Sequence, residues 1–349
     1  MSGSLVGGRR AALPPLLAWL LLPLGLVLAA MVAMGTGPVP LSLGDLAAHL
    51  AWNLGLPGRP LADSQWLVLV GIRLPRIVLA LTVGASLGAA GAALQGVFRN
   101  PLADPGLIGV SSGAALAAAA AIVLGGHALA GAFALPLAAF MGGLAATLAV
   151  HLLARRDGVT GAGTMLLAGI AVNALAGAGI GLFSYLGDDL QLRQLTFWTM
   201  GSLGGSGWTQ VLPAALLMAV AVAGLLRLAR RLDVFVLGER EAFHAGLDPV
   251  AFLRLVVALT ALAVGAAVSV SGLIGFVGLV VPHLVRMVAG AAHRVLLPAS
   301  MALGALLLLV ADSVARTIAA PAEVPIGLLC ALIGAPFFLW LLRRGRHQP

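Results

Sequence analysis

The residues able to do chemistry in this chain are few, and they stand in small groups between long apolar runs. Arg73 and Arg76 bracket a Leu-Pro pair, Asp312 precedes Arg316 by four positions, and Gln95, Arg99, Asn100 and Asp104 crowd one short stretch. Guanidinium groups are planar forks that hold a carboxylate with two parallel hydrogen bonds, so such arginines suit recognition rather than proton transfer. No pair of carboxylates, histidine-rich metal cluster or nucleophile with a nearby base falls inside the apolar runs, which argues against a membrane-embedded enzyme. The chain has no lysine, so it cannot contain a Gly-Lys-Ser/Thr phosphate loop. Its one cysteine, Cys330, sits in an apolar run and allows neither a disulfide framework nor a thiolate metal site.

The elements holding these groups must be membrane spans. Apolar residues form 61% of the 349 positions and charged residues 9%. Crossing ~30 Å of hydrocarbon takes ~20 apolar residues, so the chain can supply roughly ten spans. Its Ala, Leu, Val and Gly runs do not alternate in polarity, which excludes a β-barrel. The expected fold class is an all-α membrane protein, a polytopic bundle forming one domain over 1–349. Spans are expected near 12–34, 74–97, 105–125, 129–153, 161–186, 209–229, 249–270, 274–289, 295–318 and 324–342. The stretch after Arg9-Arg10 is too long for the apolar region of a signal peptide and reads as the first span.

A net charge of +8 would suggest nucleic acid in a soluble protein, but the arginines here gather at span ends. An even number of spans with Arg9 and Arg10 inside places both termini in the cytoplasm. Arg99, Arg155, Arg156, Arg227, Arg230, Arg231, Arg240, Arg254, Arg286, Arg294, Arg343, Arg344 and Arg346 then fall inside as well. Arg59, Arg73, Arg76, Arg193 and Arg316 fall outside, so the bias follows the positive-inside rule.

Three connecting segments stand out. Asn100-Pro101 stops a helix, because proline lacks a backbone donor and pushes its predecessor out of the helical region, so Gln95–Gly113 reads as a turn at the membrane surface. Asp188–Trp208 reads as a short amphipathic helix at the outer interface, with Phe197-Trp198 at headgroup depth. Residues 233–248 face the cytoplasm and carry Asp233, Glu239 and Glu241 beside Arg240, with Gly238 and Gly246 punctuating a short helix. Composition alone favours an ordinary solvated connection there over a docking surface. Within the spans, small residues such as Gly84, Gly88, Gly142 and Gly143 let backbones approach closely, which is how helices associate in lipid.

Taken in order, Arg73-Leu-Pro-Arg76, Gln95 with Arg99-Asn-Pro-Leu-Ala103, Pro105-Gly-Leu-Ile-Gly109, Leu237-Gly-Glu239, Gly275-Phe-Val-Gly-Leu279, Val281-Pro-His283 with Arg286, and Ala311-Asp312 with Arg316 resemble the permease subunits of bacterial ATP-driven importers for iron chelates, heme and cobalamin. The resemblance runs from about residue 70 to the C-terminus. It implies a ten-span permease of the bacterial inner membrane that is not itself an enzyme and carries no cofactor. It also implies a homodimer, two copies of a cytoplasmic ATPase that bind ATP and magnesium, and a periplasmic substrate-binding protein.

By the same resemblance, Arg73, Arg76 and Arg316 face acidic residues of the binding protein. The plainer alternative is snorkelling to headgroups together with an in-helix Asp312–Arg316 pair. Asn100 and Leu102 match a cytoplasmic gate, and Ala162 and Gly163 match its second constriction, where the family has small hydroxyl residues. Leu237, Gly238, Glu239, Arg240 and Glu241 match the helices that couple to the ATPase. His283 lies within a motif shared with cobalamin permeases, which argues against a heme-ligand role. The runs at 109–114 and 194–205 look most like heme permeases, with ferric siderophores and cobalamin as alternatives. A secondary transporter or channel would need an intramembrane relay of ionisable groups, and only Asp312 and Glu323 come near a span.

Overall fold

The computed structural model describes residues 15–345 apart from 38, 40, 126–130 and 157–158, so Arg9, Arg10 and Arg346 lie outside the described residues. In chain order the first half contains α1 (Pro15–Gly35), α2 (Leu43–Asn53), α3 (Asp63–Val68), a π-helical turn (Leu69–Arg73), α4 (Leu74–Val97), a 3-10 turn (Pro105–Ile108), α5 (Val110–Leu124), α6 (Ala134–Leu153) and α7 (Ala162–Leu186). The second half contains α8 (Asp189–Met200), α9 (Trp208–Arg227), α10 (Ala229–Val236), α11 (Glu239–His244), α12 (Pro249–Ser271), α13 (Val277–Ala289), α14 (His293–Thr317) and α15 (Ile326–Gly345). Among the described residues, six helical stretches are long and apolar enough to cross a membrane, and α1, α5, α13 and α15 supply shorter apolar helices. Together they occupy the ten expected positions. The sole sheet among the described residues is a two-residue antiparallel ladder pairing Arg155–Arg156 with Val159–Thr160 between α6 and α7.

Helix α4 lies at the centre, almost wholly buried, with α9, α12, α13 and α14 packed around it. Glycine makes this possible. A Cβ on Gly84 would lie 2.3 Å from the Gly304 carbonyl oxygen, one on Gly304 would lie 2.3 Å from that of Gly84, and one on Gly91 would lie 1.9 Å from that of Gly278. The helices therefore touch backbone to backbone, as the small-residue pattern requires when lipid gives no hydrophobic reason to associate. Helix α7 differs: it packs on α5, α6 and the 3-10 turn by one side, and Cβ atoms at Gly163, Gly177 and Gly181 would meet nothing within 4 Å.

The amphipathic segment after the fifth span forms α8, started by a capping box in which Asp188 and Gln191 satisfy each other's backbone N–H groups. Sequence periodicity missed α2, which lies in what reads as a loop. Its signal is Ser42 with Asp45 three positions on: the Ser42 hydroxyl accepts from Asp45 N at 3.0 Å, completing a capping box. Ser42 and Arg59 hold the Asp45 carboxyl below its ordinary pKa. The eighth span starts later than expected, at Val277, because Phe276 takes a left-handed conformation with φ 67°.

Candidate functional site

Two polar clusters sit at opposite ends of α4, one around Arg76 and the other around Arg99. At the Arg76 end, Arg73 donates to the carbonyls of Met34, in the last turn of α1, and of Val39 beyond it, and is 2% exposed. Arg76, one turn on, grips two carboxylates. Its Nε lies 2.9 and 3.1 Å from the Asp312 oxygens, and its Nη1 lies 2.8 and 2.9 Å from those of Glu323. Asp312 is completely buried and also faces Arg316, whose Nε is 3.2 Å from Oδ2. Arg316 reaches the carbonyls of Thr36 and Ala33, both at 3.4 Å.

The in-helix Asp312–Arg316 pair therefore forms. Arg73, Arg76 and Arg316, the three guanidiniums expected to face an outside partner, are buried and engaged within the chain. Burial without partners would be too costly for such charges, and the two acids and four carbonyls supply the partners. The exposed member of the cluster is Glu323, whose side chain keeps 46% of its accessible surface. Sequence reading noticed Glu323 only as an acid near a span, since nothing in the spacing ties it to Arg76.

At the Arg99 end, α4 finishes in a turn held from several sides. Gln95, buried, accepts from Arg286 Nη1 at 3.1 Å and donates to the Leu279 carbonyl at 3.2 Å, fastening α4 to α13. Arg99 adopts φ 48°, a left-handed conformation rare for a non-glycine residue. Asn100 Oδ1 accepts from the Leu102 N–H at 2.9 Å, an Asx turn that carries the chain past Pro101 and leaves Leu102 exposed. Asp104 then caps the 3-10 turn through Gly106 N at 2.8 Å.

The segment 233–248 folds back against this turn. Gly238, at φ 136°, opens α11, and Gly246, at φ 81°, follows it, so the two glycines punctuate a short helix as expected. Leu237, Arg240 and Glu241 are exposed while Ala242 is buried beneath them. Glu239 Oε1 lies 3.8 Å from Arg99 Nη2, which brings the expected coupling segment and the expected gate turn together. Ala162 and Gly163 begin α7 on a separate helix start, and Gly163 faces open space.

This architecture can be compared with known proteins. Residues 25–344 match the FecCD transport family. The chain belongs to that family. Its FecCD relatives include the hemin transport system permease protein HmuU of Yersinia pestis, 46% identical over 338 residues, covering 94% of this chain and 97% of the relative. The cobalamin import system permease protein BtuC of Halobacterium salinarum is 46% identical over 318 residues, covering 90% and 84%. A solved metal-chelate type ABC transporter in an inward-facing conformation superposes with a TM-score of 0.82 at 35% identity, covering 95% of this chain and all of that one. The chain is thus an ABC-importer permease and a multi-pass membrane protein, of the fold class its composition implies.

Proposed function

We propose that this chain is the permease of a heme importer, moving heme or a related iron chelate from periplasm to cytoplasm by alternating access. The observation that favours heme is the match to the hemin permease, which runs over 97% of that relative's length against 84% for the cobalamin permease. Equal identity to the cobalamin permease keeps cobalamin as the second reading. In this proposal two copies of the chain line the path, two ATPase subunits bind ATP and magnesium on the cytoplasmic side, and a periplasmic binding protein delivers the substrate. The arginine bias puts the Arg99 end and both termini in the cytoplasm and the Arg76 end outside.

The geometry suggests a role for each cluster. Asn100 and Leu102, with Ala162 and Gly163, form the inner closure, and Leu237–Glu241 seat in the ATPase. Outside, the binding protein's carboxylates compete with exposed Glu323 for Arg76, so docking exchanges one acid for another instead of desolvating a bare guanidinium. A channel or proton-coupled transporter gains no support, because Asp312, the acid at depth, is held between two arginines. Uptake of labelled heme into vesicles holding the chain, its ATPase and its binding protein tests the reading. ATP-dependent heme uptake with little cobalamin uptake is the expected result, and the reverse preference would sink the heme assignment.

A further inference from the structure

Helix α10 carries the segment that opens into α11, yet one of its side chains reaches away from the surface. Asp233 Oδ1 accepts from both the backbone N–H of His293, at 2.7 Å, and the His293 Nδ1, at 2.8 Å. His293 is the first residue of α14, so an acid on α10 caps another helix, satisfying one of its orphan donors. The imidazole is buried, and beyond its bond to Asp233 the ring engages the backbone of Ala92 in α4. Its Nε2 lies against α4 at Gly96, where a Cβ would come within 2.6 Å of it. Gly96 belongs to the turn that also holds Gln95 and Arg99, immediately before Asn100.

We infer that Asp233 and His293 form a bolt between the coupling segment and the gate turn, making His293 a positioning residue for transport. Three features support this. The bolt joins α10, α14 and α4 around the buried imidazole. The ring holds Asp233 of α10 by one edge and meets the Ala92 backbone of α4 besides, so a single side chain spans two elements. The surface pair Arg99–Glu239, at 3.8 Å and half exposed on both sides, is too loose to transmit a displacement alone. Packed interiors shift as bodies rather than deforming, so a movement of α10 is carried through the bolt to Gly96 and on to Asn100.

The inference rests on the importer reading, and the experiment keeps the two apart. The complete complex of permease, ATPase and binding protein is reconstituted with His293→Ala, His293→Asn or Gly96→Ala, and heme imported per ATP hydrolysed is measured. Closure of the gate is followed separately, by disulfide cross-linking of Leu102→Cys between the two permease copies on adding nucleotide, a readout that needs no substrate. Asparagine keeps a donor toward Asp233 but leaves the Gly96 contact empty, while Gly96→Ala keeps the Asp233 bond and displaces the ring. All three variants are expected to assemble and hydrolyse ATP while import per ATP falls about tenfold, the scale of ordinary inter-site coupling, and nucleotide-dependent cross-linking is lost. Unchanged import per ATP, or full rescue by asparagine, would overturn the bolt, the latter by showing that His293 serves only to receive the Asp233 cap. Should His293→Ala fail to assemble, Gly96→Ala decides alone. If the unaltered complex carries no heme, the heme reading falls, and the cross-linking result still supports or overturns the bolt.

Discussion

Replacing Asp312 by alanine separates buried from exposed charge in the outer cluster. The carboxylate is completely buried and meets Arg76 Nε at 2.9 and 3.1 Å and Arg316 Nε at 3.2 Å. Without it, Arg316 keeps only two long contacts to carbonyls, at 3.4 Å, and Arg76 keeps Glu323. Removing one partner of a buried pair leaves an uncompensated charge and costs roughly 3–5 kcal/mol. Glu323→Ala removes an acid that is 46% exposed, whose place water can take, and should cost about 0–1 kcal/mol. The two variants should therefore differ by at least ~2 kcal/mol, more than a tenfold shift in the folding equilibrium. Unfolding by a denaturing detergent in mixed micelles, followed through tryptophan emission, measures this directly. Equal losses would refute the claim that burial sets the cost. A triple replacement, Arg76→Met, Asp312→Leu and Arg316→Met, should recover most of the stability, because a well-packed apolar set does without the charges.

Glu323→Gln should tighten binding-protein capture by leaving Arg76 less fully occupied, and weaker capture in a pull-down would contradict the exchange of acids proposed above. Gly84→Val should destabilise the bundle by roughly 1–3 kcal/mol, since its branched side chain must push back the Gly304 backbone; an unchanged melting temperature would show that α4 and α14 separate freely. Glu239→Arg places like charge beside Arg99 and should uncouple the ATPase from import, so normal binding-protein-stimulated ATP hydrolysis together with normal heme uptake would exclude Glu239 from coupling.

The spans were legible because each crossing demands a run of apolar residues whose length the bilayer fixes. Connections were legible where they carry breakers, as at Asn100-Pro101 and at Gly238 and Gly246. Helix α2 was not, since eleven residues with Asp45, His49 and Asn53 do not resemble a span and only the Ser42 cap betrays it. The polar pairings stayed hidden for a different reason. Arg76 meets Asp312 and Glu323, and Asp233 meets His293, across distant parts of the sequence, so their partnership follows from which helices pack and not from spacing. Of the outer cluster only Asp312–Arg316, four apart on one helix, could be read ahead.

The glycine contacts between α4 and α14 carry a mechanical consequence. Where two backbones touch with no side chain between them, neither can slide along the other, because the next register would drive Ala85 or Ala305 into a main chain. Those two helices act as a keel, with the Arg76 cluster bolted at one end and the Arg99 turn at the other. Helix α7 makes no such contact within the chain at Gly177 and Gly181, where an added Cβ would meet nothing within 4 Å. A second helix can approach there as closely as α14 approaches α4.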